Sequence, residues 1–225
     1  MSVFLAGAGP ALRCAVRRHR AAFVAVLLVV LAAGCGGPRE APLPARSVVV
    51  AIGDSITAGY GVDAGEAWPA QLAQRTDWHV IAAGVNGERS AGGRERLPAL
   101  LAAHSPALVI IELGGNDMLR GVPRAEIVAN LEAMIAATRA AGAKAVLMGV
   151  PQPSALGALT GFAAAGFYRD VADRTRTPLI ESALPDVLSD GKLKLDALHP
   201  TAEGHKRLAE GTVGELERIG FVARR

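Results

Sequence analysis

The stretch Val48-Val49-Val50-Ala51-Ile52-Gly53-Asp54-Ser55-Ile56-Thr57-Ala58-Gly59-Tyr60-Gly61 decides how this chain is read. Five consecutive apolar residues end abruptly in Gly53-Asp54-Ser55, and an apolar run bounded by turn residues marks a strand buried on both faces. In an open parallel sheet the carboxyl ends of such strands border the crevice where ligands bind. A hydroxyl at that position, Ser55, can meet side chains arriving from other strand ends.

Downstream the chain alternates strand and helix. Trp68-Pro69 opens a short helix to about Arg75, proline suiting an early helical position. A second strand is read at 79–83, a glycine-rich loop from Gly84 to Gly93, and a helix from Glu95 to about Ala103. The third strand, Ala107 to Leu113, ends in Gly114-Gly115-Asn116-Asp117. Ile127, Val128, Leu131, Met134, Ile135 and Thr138 then follow the 3.6-residue helical period, with Gly142 as the stop. A fourth strand, Ala145 to Val150, is broken by Pro151-Gln152-Pro153. A helix from Phe162 to about Thr175, a short fifth strand from Pro178 to Glu181 and a closing helix from Ala202 to about Ile219 complete the pattern. Alternation without hairpin signals implies an α/β fold with a parallel sheet covered on both faces.

The N-terminal segment stands apart. Arg13, Arg17, Arg18 and Arg20 precede an unbroken apolar run from Ala21 to Ala33, the layout of an export signal and short for a membrane span. It closes with Leu31-Ala32-Ala33-Gly34-Cys35, which resembles the lipobox of bacterial lipoproteins, with Ala32 where that box usually carries leucine. Residues 1–34 are accordingly read as a lipoprotein-type signal peptide and Cys35 as the lipidation site. Residues 35–47, with Pro38, Pro42 and Pro44, are read as a tether, and 48–225 as one folded domain. A plain cleaved signal or an uncleaved anchor is the alternative. The expected location is outside the cytoplasm, on a bacterial membrane, facing the periplasm or cell exterior.

Without the four arginines of the first 34 residues the formal charge falls from +3 to −1. The remainder carries no basic stripe or motif for nucleic acid. Of the two cysteines, Cys14 lies in the export segment and Cys35 would carry lipid, so the domain has no disulfide or thiolate metal site and rests on its apolar core. No metal and no cofactor is expected.

Four polar blocks stand out: Gly53-Asp54-Ser55, Asn86-Gly87 and Gly114-Gly115-Asn116-Asp117 follow the first three strands, and Asp196-Ala197-Leu198-His199-Pro200 precedes the last helix. In this order and at these boundaries they resemble the blocks of the SGNH, or GDSL, hydrolase family, over Val48 to about Gly214. The branch of periplasmic thioesterases, arylesterases and lysophospholipases is most similar; Ile56 stands where the family name implies leucine. The resemblance implies a three-layer α/β/α sandwich of about five parallel strands, flavodoxin-like in topology. It also implies a serine esterase or thioesterase acting on acyl esters.

Such chemistry needs these residue types. A serine hydroxyl is a weak nucleophile until a base takes its proton, and an imidazole with an ordinary pKa of about 6.5 is suited to that task. His199 would serve Ser55, and Asp196, three residues earlier, would hold the other ring nitrogen and stabilise the imidazolium. For the oxyanion of the tetrahedral intermediate the resemblance implies three donors: the Ser55 backbone N–H, the Gly87 backbone N–H and the Asn116 side-chain amide. Gly84, Gly92 and Gly93 share the loop with Gly87 and compete for that role. The Gly-x-Ser-x-Gly elbow of ordinary α/β-hydrolases is missing at Ser55.

Taken singly, each residue has a plainer reading: Ser55 as a turn or cap, Asn116 and Asp117 as helix caps, Asp196 in a loop, His199 at the surface. His205, on the final helix, is read as ordinary. The segment from Ser154 through Phe162 to Tyr168 is either an apolar lip beside Ser55 or core packing. Two other functions stay open: a carbohydrate acetylesterase acting on cell-envelope glycans, and a non-catalytic lipid-anchored binding protein.

Overall fold

A computed structural model describes residues 40–152 and 161–223. The chain runs β1 (Val48–Gly53), α1 (Ser55–Ala58), α2 (Trp68–Thr76), β2 (His79–Gly84), α3 (Ser90–His104), β3 (Leu108–Glu112), α4 (Gly115–Leu119) and α5 (Arg124–Ala140). It continues with β4 (Lys144–Met148), α6 (Phe167–Thr175), β5 (Leu179–Ile180), α7 (Ala183–Ser189) and α8 (Ala202–Ile219). All strand pairs are parallel, in the order β2-β1-β3-β4-β5. That is the flavodoxin-like doubly wound order. Right-handed crossovers send connections that travel in opposite directions along the sheet to opposite faces. Hence α3, α5 and α6 pack together in one layer, while α2, α7 and α8 form the other.

The continuous apolar runs are explained by burial on both faces. Val49 to Ile52 of β1 and Leu108 to Ile111 of β3 have no exposed surface. Each such aliphatic side chain contributes about 1.5–3 kcal/mol of apolar burial. Ile127, Leu131, Met134, Ile135 and Thr138 turn the buried stripe of α5 onto the sheet. In register, Gly53 pairs with both Gly84 and Glu112, so β1, β2 and β3 end at one level. Their following loops therefore leave from one rim, at the point where the winding reverses.

The structure departs from the sequence reading in several places. The glycine-rich stretch is not loop as far as Gly93, because α3 begins at Ser90 and contains Gly92, Gly93 and Pro98. Packing is the cause: a Cβ on Gly93 would lie 2.2 Å from Leu113 Cδ1, so the glycine admits the end of β3 against the helix. Asp117 Oδ2 also accepts the Ser90 N–H at 2.8 Å and fixes the helix start. The helix α6 begins at Phe167 rather than Phe162, and α1, α4 and α7 are elements the sequence pattern does not announce. Within the stretch read as tether, the Leu43 N–H donates to Phe221 O and the Arg46 N–H to Asp77 O, each at 2.8 Å.

The export segment and Cys35 lie outside the described residues, as do Ser154 to Thr160 of the proposed lip. Among the described residues no helix is long and apolar enough to cross a membrane.

The β2 end and α1 meet without room for a side chain: a Cβ on Gly84 would stand 2.1 Å from the Ala58 backbone nitrogen. Since backbone cannot swing aside as a side chain can, Gly84→Ala is expected to cost about 1–3 kcal/mol of stability. Urea unfolding measures this, and an unchanged midpoint would contradict the packing described.

Candidate active site

Ser55 is the first residue of α1, directly after β1. Asp54 caps this short helix by accepting the Ile56 N–H on Oδ1 at 3.0 Å. The hydroxyl is thereby held at the sheet rim. His199 arrives from the other end of the chain, on the loop before α8. That loop is closed by the Leu195 N–H donating to His199 O at 2.8 Å, and Thr201 caps the helix behind it, accepting from Gly204. His199 Nε2 lies 3.0 Å from Ser55 Oγ, across 144 positions of sequence.

The other face of the ring is fixed by Asp196, whose Oδ2 is 2.8 Å from His199 Nδ1. A carboxylate beside Nδ1 places the ring proton there and leaves Nε2 as the acceptor facing the serine hydroxyl. Asp196 Oδ1 also accepts the Leu198 and His199 backbone N–H groups at 2.7 and 2.9 Å. The Asp196 carboxyl lies below its ordinary pKa: slight burial acts to raise it, and the hydrogen bonds from the His199 ring and the two backbone amides outweigh that. Tyr60 covers the imidazole, ring centroids 4.5 Å apart. The sequence reading gave Tyr60 no role; a large aromatic between Gly59 and Gly61, five residues after Ser55, was the available signal.

Gly87 and Asn116 reach the same cleft. Gly87 has φ +73°, the left-handed region that favours glycine. Of the four glycines that competed for its role it alone lines the cleft. Gly84 is used in packing against α1, and Gly92 and Gly93 lie in α3. The Gly87 loop is held from several sides. Arg120 Nη1 donates to Gly87 O at 2.9 Å. Arg96 pairs with Glu88 and donates to Ala83 O at 2.6 Å. Asp117 grips Ser90 through both its backbone N–H and its hydroxyl. Among the described residues neither the Ser55 N–H nor the Gly87 N–H has a protein acceptor.

Asn116 Nδ2 donates to Asp54 Oδ2 at 2.9 Å, which fixes which side of the amide is which and leaves its second N–H free for the cleft. Beneath them sits Glu112, fully buried at the end of β3. Its Oε2 accepts the Thr57 hydroxyl at 2.9 Å and the Asp54 N–H at 3.4 Å. Burial pushes the Asp54 carboxyl up and the Glu112 carboxyl well up, the Asp54 charge adding to the second. Neither acid was weighed in the sequence reading. A glutamate closing an otherwise apolar buried strand was the signal for it.

The cleft, of about 340 Å³, is walled by Ile56, Leu119, Val150, Phe162, Leu188 and Leu198. Phe162 thus belongs to the cleft, whereas Phe167 and Tyr168 are buried in the core. The arrangement sets a hydroxyl against an acceptor nitrogen, amide N–H groups beside it, and an apolar wall for an acyl or aryl group. Among the described residues no cluster of His, Cys, Asp and Glu has the makings of a metal site.

The sequence profile of the GDSL-like lipase/acylhydrolase family matches residues 51–207. The chain is 40% identical over 181 residues to Esterase TesA of Pseudomonas aeruginosa, covering 78% of this chain and 90% of that protein. It is 32% identical over 178 residues to thioesterase 1/protease 1/lysophospholipase L1 of Escherichia coli (strain K12), covering 78% and 86%. The psychrotrophic esterase EstA from Pseudoalteromonas sp., in a structure inhibited by monoethylphosphonate, superposes with a TM-score of 0.68 at 28% identity, covering 76% of this chain and 97% of that one.

His205, read as ordinary, does not line the cleft. It has no exposed surface, and its Nδ1 accepts the Trp68 N–H at 3.3 Å. Desolvation, with a smaller contribution from His199, lowers its pKa from 6.5 to about 4. The unfolded chain therefore takes up a proton that the folded chain refuses between these values. The stability tied to His205 is complete above pH about 6.5 and is lost as pH falls towards 4, on the order of 3 kcal/mol in all. Urea unfolding of the wild type should steepen over that window relative to His205→Gln; parallel curves would contradict it.

Proposed function

Because this chain belongs to the GDSL-like lipase/acylhydrolase family and is an SGNH-type ester-hydrolysing enzyme, we propose that it cleaves acyl esters and thioesters through Ser55, His199 and Asp196. The observation that carries this reading is the 3.0 Å contact between Ser55 Oγ and His199 Nε2. His199 takes the serine proton as Oγ attacks the acyl carbonyl, and Asp196 holds the ring in the right tautomer and stabilises the imidazolium. The developing oxyanion is met by the Ser55 N–H, the Gly87 N–H and the free N–H of Asn116. Collapse of the intermediate expels the alcohol or thiol, protonated by His199. Water, activated by the same imidazole, then releases the acid from the acyl-serine.

The apolar cleft supports acyl or aryl groups of short to medium length. Esterase and thioesterase/lysophospholipase activities, named for the two relatives above, fit such a cleft. An acetylated glycan would leave most of the apolar wall uncovered, which disfavours the carbohydrate alternative. Lipidation of Cys35 would keep the domain near membrane-derived esters.

Ser55→Ala is expected to lower p-nitrophenyl ester turnover by about 10⁴-fold or more, and Asn116→Ala by about 10²–10³-fold, with folding intact by circular dichroism. A fluorophosphonate probe should label Ser55 alone. Residual turnover near wild type in Ser55→Ala, or label on another residue, would refute the assignment. In cells, radiolabelled palmitate should enter the wild-type protein and be absent from Cys35→Ser; equal labelling of the two would refute lipidation at that residue.

A further inference from the structure

The mechanism makes no use of Glu112, yet the fold goes to some length to accommodate it. It is the last residue of β3, fully buried, and opposite it Gly53 leaves the space its carboxyl occupies. A Cβ on Gly53 would lie 2.6 Å from Glu112 Oε2 and 2.2 Å from Thr57 Oγ1. Oε2 is served by the Thr57 hydroxyl and the Asp54 N–H, while no donor reaches Oε1 among the described residues. An ionised carboxylate with a bare oxygen in such a place would forfeit several kcal/mol of solvation. A neutral acid avoids that charge penalty, and its Oε2 can still accept from both donors.

A second buried acid, Asp54, lies against it. The Asp54 N–H donates to Glu112 Oε2 at 3.4 Å, and two buried carboxyls this close cannot both keep their charge, so one of them holds a proton. The partners decide which. Asp54 has two well-placed donors, the Ile56 N–H at 3.0 Å and Asn116 Nδ2 at 2.9 Å, and the nearby His199 favours its charge further. Glu112 has a hydroxyl and one long amide contact. The negative charge therefore belongs on Asp54 and the proton on Glu112.

We propose that Glu112 is a positioning residue that works in its neutral form: its acid proton holds the Asp54 carboxylate against the Asn116 amide, and so aims the oxyanion donor and steadies the turn that carries Ser55. This rests on the reading of Asn116 as an oxyanion donor. Glu112 touches no substrate, and its effect passes through Asp54.

The test compares Glu112→Gln, which keeps a donor and an acceptor without charge, with Glu112→Leu, which removes both. For p-nitrophenyl butyrate, Glu112→Gln should keep kcat within about 5-fold of wild type. Glu112→Leu should lose on the order of 10-fold or more in kcat with KM little changed, part of the cost of an oxyanion donor. In the Leu background the further loss from Asn116→Ala should shrink, because that amide is already misaimed. Infrared difference spectra at neutral pH should show a protonated carboxylic acid band in the wild type that is absent from Glu112→Gln, whether or not the Leu variant folds. Gln as damaging as Leu, a Leu loss confined to KM, an Asn116→Ala loss undiminished in the Leu background, or no acid band would overturn the proposal. Full turnover in Asn116→Ala would remove the oxyanion reading and this inference together, whereas failure of the Glu112 variants with the Asn116 penalty intact removes this inference alone.

Discussion

The level at which three parallel strands end governs everything else in this molecule. Gly53 sits in register with Gly84 on one side and Glu112 on the other. The loops that follow β1, β2 and β3 therefore start from one line, and Ser55, Gly87 and Asn116 come together although they are far apart in sequence. Burial enforces that register. A one-residue slip would force side chains of different size into closed slots and would take Gly53 and Gly84 out of close approaches that leave no room for a Cβ. The site is thus positioned by the hydrophobic core, and the polar contacts of the rim refine what the core has already placed.

Those contacts are of two kinds. Around His199 they are partly open to water, with the Asp196 side chain half exposed. Beneath Ser55 they are sealed, and Asp54, Glu112 and Thr57 are buried. A dry acid pair costs more to assemble, but every misdirected hydrogen bond in it also costs more, so the turn that bears Ser55 has few alternative conformations. The two halves suit the roles proposed for them, one carrying protons and the other holding geometry.

Much of this was legible in the sequence, for physical reasons. Val48 to Ile52 and Ala107 to Ile111 are apolar without alternation because both faces of their strands are covered, and the stripe on α5 has the period of a helix lying on the sheet. Ser55 and Asn116 stand out as polar residues just after such strands, and Asp196 and His199 as a block before the closing helix. Gly92 and Gly93 misled because glycine has two uses: read locally they suggest loop, whereas Gly93 serves the close approach of α3 to Leu113, a tertiary demand that no local pattern displays. The short helices α1, α4 and α7 are set by capping and packing and have too few turns for a periodic signal. The pairing of Glu112 with Asp54 joins residues 58 positions apart, and only the register of β1 with β3 brings them together.

The central claim is convergence: one serine oxygen, one imidazole and three N–H donors share a single reaction centre. A crystal structure of the protein inactivated with an alkylphosphonate tests this most directly, because the tetrahedral phosphorus mimics the intermediate. The account predicts phosphorus bonded to Ser55 Oγ, with one phosphoryl oxygen accepting from the Ser55 N–H, the Gly87 N–H and Asn116 Nδ2, and His199 Nε2 beside the leaving-group position. An adduct whose phosphoryl oxygen points away from Gly87 and Asn116, or one formed on a different residue, would contradict it.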